Sequence, residues 1–260
     1  MKNILTLAII SILFGSCTKV VNINLEEADK KIVIEANVYN GEQPFLVNIK
    51  RSTDYYGREN ELPINNAEVS ISTDNGGYLP VPLIENGIYA IHSFSGLPGH
   101  TYALRVRVDG KEYTAQSTMP YNVTIDSLTY RYKDDGLGEA GYELSYRYTD
   151  PKDQENNYLM LLTVNDTLLS NPMYILLFND KDVFSNAEGN NFYKRFKKGD
   201  KISVDLRGMD NNVYLYFKTL REILTNQNGP APANPVTNIQ GGALGYFGAF
   251  NTSRKEITIQ

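Results

Sequence analysis

Cysteine, tryptophan and histidine are almost absent from this sequence. Its 260 residues include one cysteine, two histidines and no tryptophan. A single cysteine has no partner for an intrachain disulfide, so a disulfide-held fold is excluded. A zinc site or a Ser-His-Asp triad has only His92 and His100 to draw on, and neither lies at metal-ligand spacing from another histidine or cysteine. We therefore predict no metal site, no cofactor and no catalytic residues.

The sequence also lacks a basic stripe and a long hydrophobic run. Its formal net charge is −5, with acidic and basic residues spread along the chain, which argues against a nucleic-acid partner. The apolar run from Ile4 to Phe14 is shorter than the ~20 residues that cross a bilayer as a helix. We expect no transmembrane helix.

The single cysteine follows a short apolar segment at the N-terminus. Lys2, the apolar run and the small residues after it have the three parts of a secretory signal. The sequence Leu13-Phe14-Gly15-Ser16-Cys17 resembles a lipobox, although lipoboxes usually carry leucine where Phe14 stands. We predict a signal peptide over 1–16, lipidation of Cys17, anchoring to a membrane by its acyl chains, and a solvated tether over 17–30. The alternative is an incidental cysteine behind a different cleavage site.

Alternating apolar residues dominate the chain after the tether. Ile32, Ile34, Ala36 and Val38 have the period of two that is typical of a half-buried strand. Further alternating segments follow, separated by turn sequences such as Asp109-Gly110. We predict a mainly β protein whose first domain, 31–119, is an immunoglobulin-like or transthyretin-like β-sandwich with strands at 31–38, 45–50, 67–73, 78–84, 88–92, 102–108 and 111–118.

Met119-Pro120 interrupts this pattern, and we place a domain boundary there. Residues 120–260 are predicted to form a second antiparallel β domain, either a sandwich or barrel-like. Apolar residues at helical spacing after Asp210 predict one helix near 211–226, with Asp210 placed to cap its start and with a strand as the alternative for the same segment. Ile257 to Gln260 are predicted to close the fold as a last strand.

Three patterns with possible chemistry have simpler explanations. Gly136, Gly138 and Gly141 match a nucleotide-binding spacing, but a strand-like segment follows where a helix is required, so we predict a glycine-rich turn. Asp150, Asp153 and Glu155 are candidate calcium ligands in a loop, but they lack the spacing of a calcium-binding helical hand, and a solvated Asp-Pro turn is the simpler explanation. Thirty acidic residues leave a carboxylate-dependent hydrolase of glycan or peptide open without indicating which pair would act.

Two aromatic pairs are candidate contact residues for a partner or ligand. Tyr55 and Tyr56 lie in the long loop between Arg51 and Pro63, and Tyr246 and Phe247 lie among glycines near the C-terminus. Exposed aromatic side chains often anchor interfaces because they give a large contact area at low entropic cost. The alternatives are a solvent-exposed loop tip for the first pair and core packing for the second.

Several weak signals occur together in a recognisable order. Their combination resembles the outer-membrane lipoprotein family known as domain of unknown function 4249 over nearly all of the chain after Cys17. The signals are the lipobox, Lys31-Ile32-Val33-Ile34-Glu35-Ala36, Ala67-Glu68-Val69-Ser70-Ile71, Gly87-Ile88-Tyr89, Gly99-His100-Thr101-Tyr102-Ala103-Leu104, Ile125-Asp126-Ser127-Leu128, Asp150-Pro151, and Asn238-Ile239 through Gly245-Tyr246-Phe247-Gly248-Ala249.

The resemblance implies a role in capture or uptake, since members are typically encoded near TonB-dependent outer-membrane receptors. It supplies no catalytic residues. We therefore expect a non-enzymatic outer-membrane lipoprotein that binds a ligand or assists such a receptor, with the cell surface favoured and the periplasmic face left open. Its small-molecule, glycan or peptide ligand is not indicated by the sequence. The alternatives are the carboxylate-dependent hydrolase and a structural or adhesive envelope protein.

Overall fold

The alternating segments of the sequence form strands in the computed structural model. It describes residues 30–52, 62–121, 123–134, 136, 139–149, 155–179, 188–189, 194–225 and 234–260. The strands of the first half are β1 Ile32–Tyr39, β2 Gly41–Arg51, β3 Leu62–Pro63, β4 Glu68–Thr73, β5 Leu79–Val81, β6 Leu83–Glu85, β7 Ile88–Gly96, β8 Thr101–Val108 and β9 Lys111–Thr118.

The second half contains further strands and an α-helix, α1. They are β10 Ile125–Lys133, β11 Gly141–Tyr148, β12 Asn157–Val164, β13 Thr167–Leu168, β14 Leu176–Asn179, β15 Glu188–Gly189, β16 Lys201–Met209, α1 Asn211–Thr225 and β17 Leu244–Thr258, with a short 3-10 helix at Pro172–Tyr174. The prediction of a mainly β protein with one helix near 211–226 is confirmed. None of the helices in these described residues has the length and apolarity needed to cross a membrane.

Two predicted strands differ from the structure. The segment 78–84 is divided into β5 and β6, because Pro82 stands between them and has no N–H to donate to a sheet. The predicted last strand at Ile257 is the end of β17, a continuous strand of 15 residues that already starts at Leu244. Of the glycines in this region, Gly245 and Gly248 lie within β17, whereas Gly241 and Gly242 precede it.

Three sheets carry these strands. The largest has ten strands and follows the order β13-β12-β16-β17-β1-β2-β7-β6, with β14 paired to β12 and β3 paired to β2. A four-stranded sheet has the order β5-β4-β8-β9, and a three-stranded sheet has the order β10-β11-β15. The first hydrophobic cluster takes residues from β1, β2 and β7 of the large sheet and from β4, β8 and β9 of the four-stranded sheet. This arrangement is sandwich-like.

The hydrophobic clusters follow the two halves of the sequence only in part. A second cluster contains residues from Val123 onwards, on the other side of the predicted boundary at Pro120. However, Phe247 and Ala249 of β17 belong to the first cluster. Residues Lys31–Gln260 also group as one compact unit. The first core is therefore not built from residues 31–119 alone, and independent folding of that segment stays a prediction.

The start of α1 is joined to the four-stranded sheet by Asp210. Its carboxylate accepts hydrogen bonds from the backbone N–H groups of Asn212 at 2.9 Å and Val213 at 3.0 Å, which is the capping arrangement predicted for this helix. The same carboxylate accepts hydrogen bonds from the Ser117 hydroxyl and from the Thr118 N–H at 3.1 Å. Asp210 therefore fixes the helix start against the end of β9.

β17 lies at the centre of the large sheet and requires glycine at one position. It runs parallel to β1 and antiparallel to β16. Gly245 has a φ of +93°, and a Cβ atom at this position would overlap the backbone carbonyl of Ile34 in β1. Gly242 has a similar φ of +88°, but a Cβ atom there would have no neighbour within 4 Å.

We predict that Gly245→Ala destabilises the protein much more than Gly242→Ala. Both substitutions place alanine in a left-handed conformation that costs about 1–3 kcal/mol, and only the first also pushes β1 away from β17. Urea unfolding followed by circular dichroism compares the two variants. If both variants lost the same free energy of unfolding, the close approach of Gly245 to Ile34 would have no separate effect on stability, and the prediction would be wrong.

Candidate binding site around Tyr78

Tyr78 lies between two concave surfaces of the four-stranded sheet. It directly precedes β5 and is 40% exposed. The guanidinium carbon of Arg105 lies 3.9 Å from the centre of its ring, which is within the range of a cation–π interaction. Among the described residues Arg105 has no ion pair. The Tyr78 ring is therefore the contact that the structure shows for the charge of Arg105, whose side chain is half-buried.

The strand pattern of β8 explains where Arg105 points. Leu104 and Val106 on either side of it are buried in the first cluster, so Arg105 lies on the opposite, outer face of the sheet. In the register of the sheet it stands between Ser70 of β4 and Thr114 of β9. The outer face is consequently polar in this region, whereas the inner face is apolar.

A turn held by Asp74 leads the chain to Tyr78. The Asp74 carboxylate accepts a hydrogen bond from the Thr101 N–H at 2.9 Å and contacts the Nδ1 atom of His100. Both hydrogen bonds lower the pKa of Asp74 below its ordinary value, and the one from the Thr101 N–H has the larger effect. His100 therefore has a structural contact in this turn. Through the hydrogen bonds of Asp74, the turn after β4 is held against the start of β8.

On one side of Tyr78 is a groove of about 600 Å³. Apolar and charged side chains both line it, including Pro80, Pro82, Leu83, Arg105, Arg107 and Glu68. Arg107 donates from Nε to the Glu112 carboxylate at 2.7 Å, so its charge is partly neutralised. Next to the groove, Leu79 and Ile84 are also exposed. Tyr78, Leu79, Leu83 and Ile84, which we call the apolar edge, are each 40–50% exposed.

On the other side of Tyr78 is a cavity of about 310 Å³, which we call the amide cavity. Carboxamide and hydroxyl side chains from three separate parts of the chain surround it. They are Thr114 and Gln116 of β9, Asn212 of α1, and Asn238 and Gln240 of the segment before β17. Arg105 does not line this cavity.

The carboxamides of the amide cavity differ in whether they are already used. Asn238 donates from Nδ2 to the carbonyl oxygen of Phe247 at 2.7 Å and accepts from the Phe247 N–H at 3.0 Å, so it holds the chain in place. Within the described residues, the side chains of Gln116, Asn212 and Gln240 make no hydrogen bond. These three carboxamides are therefore free to bind a ligand.

Of the two aromatic pairs singled out in the sequence, the structure describes Tyr246 and Phe247, and neither lines the amide cavity or the groove. Cys17, Tyr55 and Tyr56 lie outside the described residues. Phe247 is 0% exposed and packs against Phe45 with 6.4 Å between the ring centres, so core packing, the alternative reading, applies to it. Tyr246 is half-buried beneath α1, 4.7 Å from Tyr216 between ring centres.

The other sequence patterns also lack a functional arrangement in the described residues. β10 and β11 pair antiparallel on either side of the segment that contains Gly136, so a strand follows this segment where a nucleotide site requires a helix. Asp150 and Asp153 lie outside the described residues. No group of three or more histidine, cysteine or acidic side chains that is suited to a metal occurs within the described part of the chain.

Sequence reasoning missed Tyr78, Gln116, Asn212 and Gln240. None of them belongs to a motif, and they are separated by up to 162 positions in the numbering. Only the turn before β5, the Asp210 contact to β9 and the backbone hydrogen bond from the Gln240 N–H to the Thr114 carbonyl at 2.8 Å bring them together.

Tyr216 of α1 and Tyr246 of β17, whose rings pack together, lead to a prediction about alkaline stability. Burial is the main cause that raises the pKa of Tyr216 from 10.0 to about 12, and burial also raises the pKa of Tyr246. The folded state therefore retains these protons where the unfolded state loses them, so this stabilisation is complete below pH 10 and is lost as the pH rises towards 12. We expect Tyr216→Phe to reduce the slope of unfolding free energy against pH in this window. Tyr132→Phe, at a 60% exposed position, is the matched control and should leave the slope unchanged.

Comparison with known proteins identifies a family but no activity. No curated protein matches the chain. A solved structure of the adhesin InvE from Yersinia pseudotuberculosis is similar at 15% identity, covering 69% of this chain and 56% of the other, with a TM-score of 0.22. The chain thus spans little more than half the length of that structure. The family described as Domain of unknown function (DUF4249) matches residues 18–256, and the chain belongs to this family.

Proposed function

We propose that this chain is a non-enzymatic, lipid-anchored accessory protein that docks to a TonB-dependent receptor of the outer membrane. The observation that carries the proposal is the apolar edge beside the groove. Four large apolar side chains within seven residues are each 40–50% exposed there. Scattered exposed apolar residues are normal, but four of them in one segment of seven residues are a candidate protein contact.

The chemistry of the apolar edge favours docking by side chains. β5 is an edge strand of the four-stranded sheet and β6 is an edge strand of the ten-stranded sheet. Exposed edges can accept another strand through their backbone groups. Pro80 within β5 and Pro82 after it have no N–H, so a continuous backbone ladder cannot form along this edge. We therefore expect the partner to contact the apolar edge with apolar side chains, and to meet Arg105 with acidic ones on the groove side, where Leu83 also lies.

The anchor supports a membrane partner over a soluble one. A lipidated Cys17 would confine the protein to a membrane plane, and confinement raises the effective concentration of other membrane proteins around it. A contact with a small area is then occupied without high intrinsic affinity. The family resemblance indicates which membrane protein to expect, since its members are typically encoded near TonB-dependent receptors.

We predict that Cys17→Ala releases the protein from membranes into the soluble fraction. The substitution removes the thiol that carries the acyl chains, and these chains are the proposed anchor. Fractionation of cells grown with a labelled fatty acid measures both properties, and only the parent should carry the label. Equal membrane retention of parent and variant would contradict the lipid anchor.

The docking prediction concerns Leu79 and Leu83. Changing both to serine should reduce co-purification of a TonB-dependent receptor from detergent-solubilised host membranes by about tenfold, because two apolar side chains are lost from the contact. Leu168→Ser is the matched control. Leu168 is 51% exposed but lies in β13, at the opposite edge of the large sheet.

Three results would overturn parts of this proposal. A parent that purifies without any receptor after gentle cross-linking contradicts the receptor partner. Equal losses in the double variant and in Leu168→Ser contradict the apolar edge as the contact. Hydrolysis of a glycan or peptide that one Asp or Glu substitution abolishes contradicts the non-enzymatic role.

A further inference from the structure

We infer that the amide cavity binds a small, neutral ligand rich in hydroxyl groups, of the saccharide or polyol class. This site is separate from the groove and does not depend on the receptor partner. It is formed by the outer face of β8 and β9, the first turn of α1 and the segment 238–240, with Tyr78 as one wall. Three features of its lining indicate the ligand class.

The first feature is the kind of hydrogen-bonding group. The carboxamides of Gln116, Asn212 and Gln240 each offer two N–H donors and a carbonyl acceptor, and the Thr114 hydroxyl can act as either. None of these four side chains has a hydrogen-bond partner among the described residues. A hydroxyl group is likewise both donor and acceptor, so neighbouring hydroxyls on one ligand can pair with neighbouring carboxamides in both directions. A ligand with only acceptors or only donors would leave half of these groups unpaired.

The second feature is the absence of charge in the lining. Every residue that lines the amide cavity is neutral. Arg105 contacts Tyr78 but lines only the groove on the other side. An ionised ligand gains most from a charged partner or from charge-assisted hydrogen bonds. The lining of the amide cavity has no charged side chain for that purpose, so it favours a neutral ligand over an ionised one.

The third feature is the position of the aromatic ring and the size of the space. The Tyr78 ring gives a flat apolar surface beside the carboxamides, which suits a ligand with C–H groups on one face and hydroxyls at its rim. A volume of about 310 Å³ lies at the lower end of the ~300–1,000 Å³ range of small-molecule sites. The ligand is therefore a small one.

A peptide is the competing neutral ligand, and the backbone around the cavity argues against it. Extended peptides usually bind by adding a strand to an open sheet edge. At β9 that edge is already in use, because the Gln240 N–H donates to the Thr114 carbonyl at 2.8 Å and Asn238 Nδ2 donates to the Gln116 carbonyl at 3.4 Å. The carboxamide side chains remain available, whereas the backbone groups of this edge are taken.

The experiment measures ligand binding to the full lipidated chain by saturation-transfer NMR and titration. The chain is kept in a polyoxyethylene detergent, since glycoside detergents would themselves compete for the site. The neutral probes are maltose, cellobiose, lactose and inositol. Glucuronic acid and glucosamine are the charged probes, and an uncharged, blocked trialanine is the peptide probe. We expect at least one neutral probe to bind in the millimolar range or tighter, and more tightly than the charged and peptide probes.

Single substitutions then locate the bound ligand. Gln116→Ala and Gln240→Ala should each weaken binding of the neutral probe by about tenfold, which corresponds to the loss of one or two hydrogen bonds. Both side chains are exposed, so the variants should unfold at the temperature of the parent. Leu83→Ser, in the groove beyond Tyr78, is the matched control and should bind the probe like the parent.

The results that overturn the inference are distinct from those that overturn receptor docking. The absence of binding by all four neutral probes rejects the saccharide or polyol class. Tighter binding of a charged probe or of the peptide identifies a different ligand and also rejects it. Binding that is unchanged in both glutamine variants places the ligand elsewhere. None of these outcomes decides whether the receptor docks, because that proposal is tested separately by co-purification.

Discussion

The parallel contact between β1 and β17 is the interaction on which the rest of the structure depends. It joins the first described strand to the last, from the pair Val33 and Leu244 to the pair Tyr39 and Phe250. Asn40 extends the contact by one step, since its side-chain oxygen accepts hydrogen bonds from the N–H and the hydroxyl of Thr252. Without this contact the strands β2, β7 and β6 would be separated from β16 and β12. Pairing at such sequence separation carries a cost in loop-closure entropy, and the apolar side chains that both strands bury help to offset it.

The geometry of the amide cavity also depends on β17. Ser117 accepts a hydrogen bond from the Ala249 N–H of β17 at 2.8 Å, and its hydroxyl donates to Asp210 at the start of α1. This chain of contacts sets the distance between Gln116, which precedes Ser117, and Asn212, which follows Asp210 by two residues. Asn238 bonds to Phe247 of β17 and thereby places Gln240. Asn238 thus bonds to β17 directly, Gln116 is connected to it through the neighbouring Ser117, and Asn212 is connected to it through Asp210 and Ser117.

The sequence predicted those structural features whose signals lie within a few neighbouring residues, such as hairpin turns and helix caps. The turn Asp109-Gly110 predicted the hairpin of β8 and β9, and its pairing of Val108 with Lys111 confirms it. Asp210 predicted the start of α1 because a cap acts within three residues. The β1–β17 pairing had no such signal: parallel strands are not joined by a short turn, and the alternation of β1 fits an antiparallel neighbour equally well. The amide cavity was unpredictable for the same reason, since its carboxamides meet only after β17 has joined the two halves.

Tyr78 links the two proposed contacts energetically. Its ring lines both the groove and the amide cavity, and Arg105 lies over it from the groove side. A ligand that packs against the ring in the cavity restricts the ring's orientation. Where docking at the apolar edge also orders the ring, the second event costs less conformational entropy than it would alone. Such coupling is reciprocal: whatever factor the ligand adds to the affinity for the receptor, the receptor adds to the affinity for the ligand. A half-exposed tyrosine that lines two concave surfaces is thus a route by which the proposed ligand and the proposed receptor would favour each other's binding, without a change in the backbone.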